Sequence, residues 1–329
     1  SIFLCDSSYV SLVYPESVKT ILKEKAGLVD KVFTKADIIQ GADVTDTEYI
    51  FSTWGMPRFT TEEIRRYFPS LKAVFYAAGT VQGFAREFLE CGVRVFSAWA
   101  ANAVPVAEYT LAQILLANKN FYACARYASV GENEKARMEK ENIVGNYGCK
   151  VGIIGAGMIG SMVIGHLSRH DIEVLVFDPF LPDEKAKAMG VKKVALKQLF
   201  SECQTVSNHL ANNPQTVGML NYDLFKLMLP YAVFINTGRG AQVVEPDLCR
   251  ILRERPDITA VLDVTCTEPP EPGHPFYSLP NVVLTPHIAG SQGNEVERMS
   301  RFMLEEFSRM VEGRHVRYEV TSDMLETMA

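Results

Sequence analysis

Three glycines stand in the run Gly155-Ala156-Gly157-Met158-Ile159-Gly160, between the apolar stretch KVGII and a helix-forming segment. In a strand–turn–helix setting the first glycine permits a tight turn and the second lets the backbone approach a pyrophosphate. The third lets helix and strand pack closely. Amides at the helix start then face the phosphates, where the helix dipole favours negative charge. Asp178 closes the next apolar run, VLVFD, about twenty residues on, where an acid accepts from both ribose hydroxyls of a dinucleotide. The same acid repels a 2′-phosphate, so the expected cofactor is NAD rather than NADP.

A second set of residues follows later strands. Asn236-Thr237-Gly238-Arg239-Gly240 comes after AVFI, and a guanidinium between glycines can hold a carboxylate through two parallel bonds. Asp263 ends AVLD, Glu268 lies just before Pro269-Pro270, and His287 sits in TPHIAG after NVVL. An acid beside a histidine favours the imidazolium and decides which ring nitrogen faces a substrate. Taken singly, each has a plain explanation as a solvated charge or a structural histidine. Their order after successive strands points instead to one ligand site at the strand ends of an open α/β sheet.

The elements that must position them alternate at short spacing. Strands are expected at 2–6, 31–34, 49–55, 71–79 and 93–98, with helices at 15–25, 60–68 and 83–92. Residues 104–128 read as one long apolar helix, and 131–149 as a charged, irregular crossover. From 149 to 290 a second strand–helix series runs, and 291–313 reads as an amphipathic helix before a tail. Alternation of this kind specifies parallel sheets covered by helices on both faces. The expected class is α/β, with two doubly wound parallel-sheet domains.

Composition narrows the functions available. At about 150 residues per domain, 329 residues allow two domains. With 33 basic and 39 acidic residues the formal charge is −6, and no basic run offers a grip on a nucleic-acid backbone. No stretch reaches the roughly 18 uninterrupted apolar residues of a membrane-spanning helix. The start, SIFLCDSSYV, lacks the basic region of a secretory signal. Seven scattered cysteines without a CxxC pair read as reduced thiols in a cytoplasmic protein, and no metal site is expected.

GAGMIG with Asp178, then NHLANNPQT, INTGRG, LDVTCTEPP and TPHIAG in that order, resembles the D-isomer-specific 2-hydroxyacid dehydrogenases. VPVAEYTLAQILL is similar to the family's long helix, and AAGTVQGF to its substrate-side glycine loop. The resemblance implies a flavodoxin-like substrate domain from 1–101 plus 291–329 and a Rossmann-type NAD-binding domain over 102–290, with the active site in the cleft. It implies that Arg239, Glu268 and His287 are catalytic. It places Gly155, Gly157, Met158, Ile159, Gly160, Asp178, His209, Leu210, Thr216, Thr237, Gly238, Arg239, Asp263 and His287 at the cofactor, with Asp263 near the nicotinamide. The 2-oxo or 2-hydroxy acid is expected to meet Trp54, Gly55, Gly79, Thr80, Arg239 and His287, and a homodimer through the cofactor domain is implied. His209-Leu210-Ala211 departs from the family's H-x-P, and Met228-Leu229-Pro230 from its Met-Lys-Pro. Two alternatives stay open. One is a phosphorylated hydroxy acid as substrate, for which Arg58 and Lys72 are the nearby cations and no appended regulatory domain is expected after 313. The other is an NAD(H)-sensing corepressor-like protein of the same fold.

Overall fold

The computed structural model describes residues 1–326, which fall into two units, Ser1–Ala103 with the described residues from Ser291 onward, and Val104–Gly290. The first unit carries β1 (Ile2–Leu4), β2 (Val29–Phe33), β3 (Tyr49–Ser52), β4 (Ala73–Tyr76) and β5 (Arg94–Ser97). The second carries β6 (Lys150–Ile154), β7 (Glu173–Phe177), β8 (Lys192–Lys193), β9 (Thr205–Asn208), β10 (Val233–Asn236), β11 (Thr259–Leu262) and β12 (Val282–Leu284). A last strand, β13 (Glu319–Val320), belongs to the first unit.

In the first unit the order is β13-β5-β4-β3-β1-β2, with β1 to β5 parallel. β13 pairs antiparallel with β5, so the segment read as a tail adds an edge strand. Long-range polar contacts hold it there. Glu306, 1% exposed on the helix Val296–Val311, accepts from the Arg317 and Tyr318 amides at 2.7 and 3.0 Å. The Arg94 fork meets both oxygens of Glu319 at 2.7 Å. Arg94 and Glu319 are more than 200 residues apart and leave no local pattern to read. Phe51, Phe75, Phe96 and Phe307 pack together in the core beneath this sheet.

The second unit is fully parallel, in the order β12-β11-β10-β9-β6-β7-β8. Its five inner strands, β6, β7, β9, β10 and β11, are buried on both faces, and successive residues alternate between two cores. Val151, Ile153, Val174, Val176, Val233 and Ile235 pack on one side, while Ile154, Leu175, Val206, Phe234 and Leu262 pack on the other. Helices over both faces are what a near-continuous Val/Ile/Leu strand requires.

Two helix expectations need correction. The long helix expected over 104–128 is two helices, Trp99–Ala117 and Phe121–Ser129. Between them Asn120 adopts φ 48°, and the buried Asn118 side chain donates to Asn146 and accepts from Thr205. Apolar content continues through the break, so periodicity does not reveal it. The crossover at 131–149 contains the helix Asn133–Glu141, which buries no residue and so shows no apolar stripe.

Candidate active site

Register builds the site. Along the second sheet Phe177 pairs with Ile154, Ile154 with Asn208, Asn208 with Asn236, Asn236 with Leu262 and Leu262 with Leu284. The residues that leave these ends, Asp178, Gly155, His209, Thr237, Asp263 and Thr285, therefore start from one row at the carboxyl edge. Between β6 and β9 the order of connection reverses, which is where open α/β sheets bind ligands.

The glycine loop follows β6, and Gly157 is the N-cap of the helix Met158–Leu167. A Cβ on Gly160 would stand 2.0 Å from the Gly155 carbonyl oxygen, so the close packing of helix on loop admits only glycine there. Asp178 accepts from the Ala156 amide at 2.7 Å and the Phe180 amide at 2.8 Å, which ties the end of β7 to this loop. Across it, His209 is 8% exposed, its Nε2 is 2.9 Å from the Ser207 hydroxyl, and burial pushes its pKa down to about 3. The ring is neutral. Leu210 fixes the next loop by accepting from Gln242 at 2.7 Å, and Thr216 closes its own loop by donating to the Ala211 carbonyl at 2.6 Å.

Arg239 follows β10 on a turn shaped by amide side chains. Asn208 donates to Asn236 and Gln242, and the Asn236 and Gln242 oxygens accept from the Gly238 and Arg239 amides. The guanidinium donates to the Gly238 carbonyl at 2.8 Å, and among the described residues it forms no ion pair. Burial lowers its pKa from the ordinary value, and the charge of Glu268 acts in the opposite sense. A Cβ at Gly240 would fall 1.9 Å from the Thr265 carbonyl carbon, so the Arg239 loop presses directly on the loop that leads to Glu268.

His287 Nδ1 lies 2.7 Å from Glu268 Oε2. The structure thus brings together the pair expected from TPHIAG and LDVTCTEPP, nineteen residues apart in sequence. His287 adopts φ 55°, uncommon for a residue with a side chain. Asp263, expected beside the nicotinamide, is 2% exposed and serves the histidine loop. Its carboxylate accepts from Thr285 Oγ1 at 2.6 Å and from the Ile288 and Ala289 amides at 2.9 and 2.8 Å. Its carbonyl accepts from the His287 amide at 3.0 Å.

The expected substrate residues Trp54, Gly55, Gly79 and Thr80 lie in the first unit. Trp54 is half-buried, edge-on to Tyr9, and its carbonyl accepts from Ser7 Oγ. Gly55, at φ 100°, accepts from the Asp6 amide at 2.8 Å. The Gly79 carbonyl accepts from Ser97 Oγ at 2.6 Å, and Thr80 is exposed. Trp99 packs edge-on against Tyr318.

The family model described as "D-isomer specific 2-hydroxyacid dehydrogenase, NAD binding domain" matches residues 111–289. The chain belongs to this family. It is 29% identical over 235 residues to a D-3-phosphoglycerate dehydrogenase of Archaeoglobus fulgidus, covering 71% of this chain and 44% of that one. The chain spans about half the length of the curated relatives it matches. Among solved structures, D-mandelate dehydrogenase of Rhodotorula graminis aligns with a TM-score of 0.81 at 19% identity, over 98% of this chain and 97% of that one. The NAD-complexed D-isomer specific 2-hydroxyacid dehydrogenase of Lactobacillus delbrueckii aligns at 0.76, 19% identical, over 97% and 99%. At these identities the likeness is one of fold.

The second unit is an NAD binding domain of this family, and its residues fit the dinucleotide. A Cβ on Gly157 meets no atom within 4 Å, so the backbone at the helix start is left bare on that side. Among the described residues no side chain caps this helix, whose first-turn amides have no intrahelical acceptor. His209 Nδ1 is buried beside the same loop and has no partner among the described residues. Amides at the helix start would hold the pyrophosphate, and Asp178 retains acceptor capacity for the ribose hydroxyls. Sequence reasoning did not single out Asn208, Gln242, Tyr109, Thr110 or Thr285. The amide three residues after Arg239 was the available signal for Gln242, and no local pattern marks the others.

Proposed function

We propose that this chain reversibly reduces a 2-oxo acid to a D-2-hydroxy acid with NADH. The observation that carries the reading is Arg239: a desolvated guanidinium with no ion pair among the described residues, on a loop packed against the loop of Glu268, whose carboxylate holds His287. Stripping water from a cation is costly unless an anion meets it, and a planar carboxylate matches the fork. When bound, NADH supplies the hydride that reaches the carbonyl carbon. Arg239 binds the carboxylate and stabilises charge growing on the carbonyl oxygen. With Nδ1 donating to Glu268, His287 presents Nε2, and its proton passes to that oxygen as the hydroxyl forms. In the oxidising direction Nε2 takes the proton back. Trp54, Gly55, Gly79 and Thr80 complete the proposal as substrate residues.

One observation favours a phosphorylated acid as a second reading. Lys72 is paired with Glu48, whereas the exposed Arg58, without an ion pair among the described residues, lies along Gly83 with its guanidinium 3.4 Å from where a Cβ would stand. The relatives named D-3-phosphoglycerate dehydrogenase make that class worth including. A homodimer through the NAD binding domain is supported by the exposed apolar side chains Leu116, Phe121, Val130, Met138 and Tyr147. Cytoplasmic residence is supported by seven free thiols. Among the described residues no helix is long and apolar enough to cross a membrane.

A panel of phosphorylated and unphosphorylated 2-oxo acids, followed by loss of NADH absorbance, tests the reading. One acid should stand out, and His287→Ala should lower turnover by about 10²–10⁴ with NADH affinity retained. A chain that oxidises NADH with none of them, or a His287→Ala variant of wild-type turnover, refutes it.

A further inference from the structure

We propose that Tyr109 and Thr110, consecutive residues of the helix Trp99–Ala117, are positioning residues. Tyr109 holds the His287 loop and Thr110 holds the Arg239 loop. The inference rests on the dehydrogenase reading for its catalytic meaning, and on hydrogen bonds for its geometry.

The first anchor is a chain of donors. Thr285 has one hydroxyl proton and gives it to Asp263 at 2.6 Å. The 3.2 Å contact between Tyr109 Oη and Thr285 Oγ1 therefore has Tyr109 as donor. Burial raises the Tyr109 pKa above the ordinary value, so the phenol keeps its proton. Beyond Thr285, Asp263 accepts from the amides of Ile288 and Ala289 and, through its carbonyl, from that of His287. The polar chain thus begins on the helix and ends on both sides of a histidine at φ 55°. Left-handed backbone at a residue with a side chain persists where its surroundings over-determine it. These bonds supply that constraint.

The second anchor is shorter. Thr110 is 0% exposed, and its hydroxyl lies 3.1 Å from that of Thr237, two residues before Arg239. Neighbouring residues on a helix point about 100° apart, so adjacent hydroxyls reach two different loops from one turn. Hydroxyls placed only to satisfy a core would affect stability as a whole. Anchors affect each loop separately.

Four variants test this: Tyr109→Phe, Thr285→Val, Thr285→Ser and Thr110→Val. In each we would measure kcat, KM for the 2-oxo acid, NADH affinity, thermal stability and peptide-resolved hydrogen exchange. Tyr109→Phe and Thr285→Val should each lower kcat about two- to tenfold, the worth of one neutral hydrogen bond, with NADH affinity unchanged. Their double variant should fall no further than Thr285→Val alone, because both break one chain. Thr285→Ser should restore activity. Thr110→Val should act mainly on KM. Exchange should rise over 285–290 in the first two variants and over 236–242 in Thr110→Val. Unchanged exchange in those segments, or an equal rise across the whole second unit, overturns the inference whatever the activity. Wild-type protein inactive on every acid, with the exchange pattern as expected, refutes the dehydrogenase reading and leaves the anchors established. Additive effects of Tyr109→Phe and Thr285→Val also overturn it.

Discussion

Replacing Gly157 and Gly160 by alanine, one at a time, separates cofactor binding from folding. At Gly160 the new Cβ would sit 2.0 Å from the Gly155 carbonyl oxygen, whereas real Cβ atoms essentially never approach closer than 3.0 Å. Helix and loop must part by about 1 Å, an overpacking that costs about 1–3 kcal/mol. Both stability and NADH affinity should fall. At Gly157 no atom lies within 4 Å of the new methyl, and φ of −66° suits alanine. The folding cost is then only that of exchanging an N-cap glycine, below about 1 kcal/mol. The methyl does, however, project where the bare backbone would meet the pyrophosphate. Losing one charge-assisted hydrogen bond there costs about 1.5–3 kcal/mol, which raises the NADH dissociation constant about 10- to 150-fold. Fluorescence titration with NADH and thermal unfolding of the ligand-free protein give the two readouts. Gly157→Ala binding NADH like wild type would refute the assignment of the cradle. A loss of stability in Gly157→Ala equal to that in Gly160→Ala would refute the packing argument.

Arg239→Lys keeps the charge and loses the fork, so KM for the 2-oxo acid should rise sharply while kcat also falls; wild-type kinetics would place the carboxylate elsewhere. Asp178 should make the wild type prefer NADH over NADPH by about two orders of magnitude, read as the ratio of kcat/KM values. Asp178→Ala should narrow that ratio mainly by weakening NADH, because it also frees the Ala156 and Phe180 amides. Asp257 tests acid stability. Burial acts to raise its pKa, but the Arg255 fork and the Tyr231 amide outweigh it and hold the carboxyl below its ordinary value. Its stabilisation is complete above about pH 4 and disappears as pH falls through the folded-state value, so Asp257→Asn should flatten the acid limb of the stability curve. An acid limb as steep as that of wild type would argue against it.

What the sequence determined by itself is the chemistry that depends on near neighbours. GAGMIG after KVGII needs only a strand, a turn and a helix in succession, and its glycines are demanded by approaches within that unit, such as Gly160 on Gly155. The arginine between glycines and the acid before two prolines were legible as candidates only through their order, because each follows a successive strand of one sheet. Alternation of strand and helix likewise specified a parallel sheet without any knowledge of strand order. Tertiary structure alone decided how these pieces meet. Pairing of β13 with β5 rests on Glu306, which holds the preceding turn, and on Arg94, bonded to Glu319 more than 200 residues along the chain. The break at Asn118–Asn120 is settled by partners at Asn146 and Thr205 rather than by a change in hydropathy. Asp263 was visible as an acid at a strand end, but the donors that fill its carboxylate come from a loop more than twenty residues away, which no local pattern shows. Tyr109 and Thr110 look like ordinary members of an apolar helix. A hydroxyl acquires a task only when folding brings a second hydroxyl within about 3 Å, and no pattern along the chain encodes that distance.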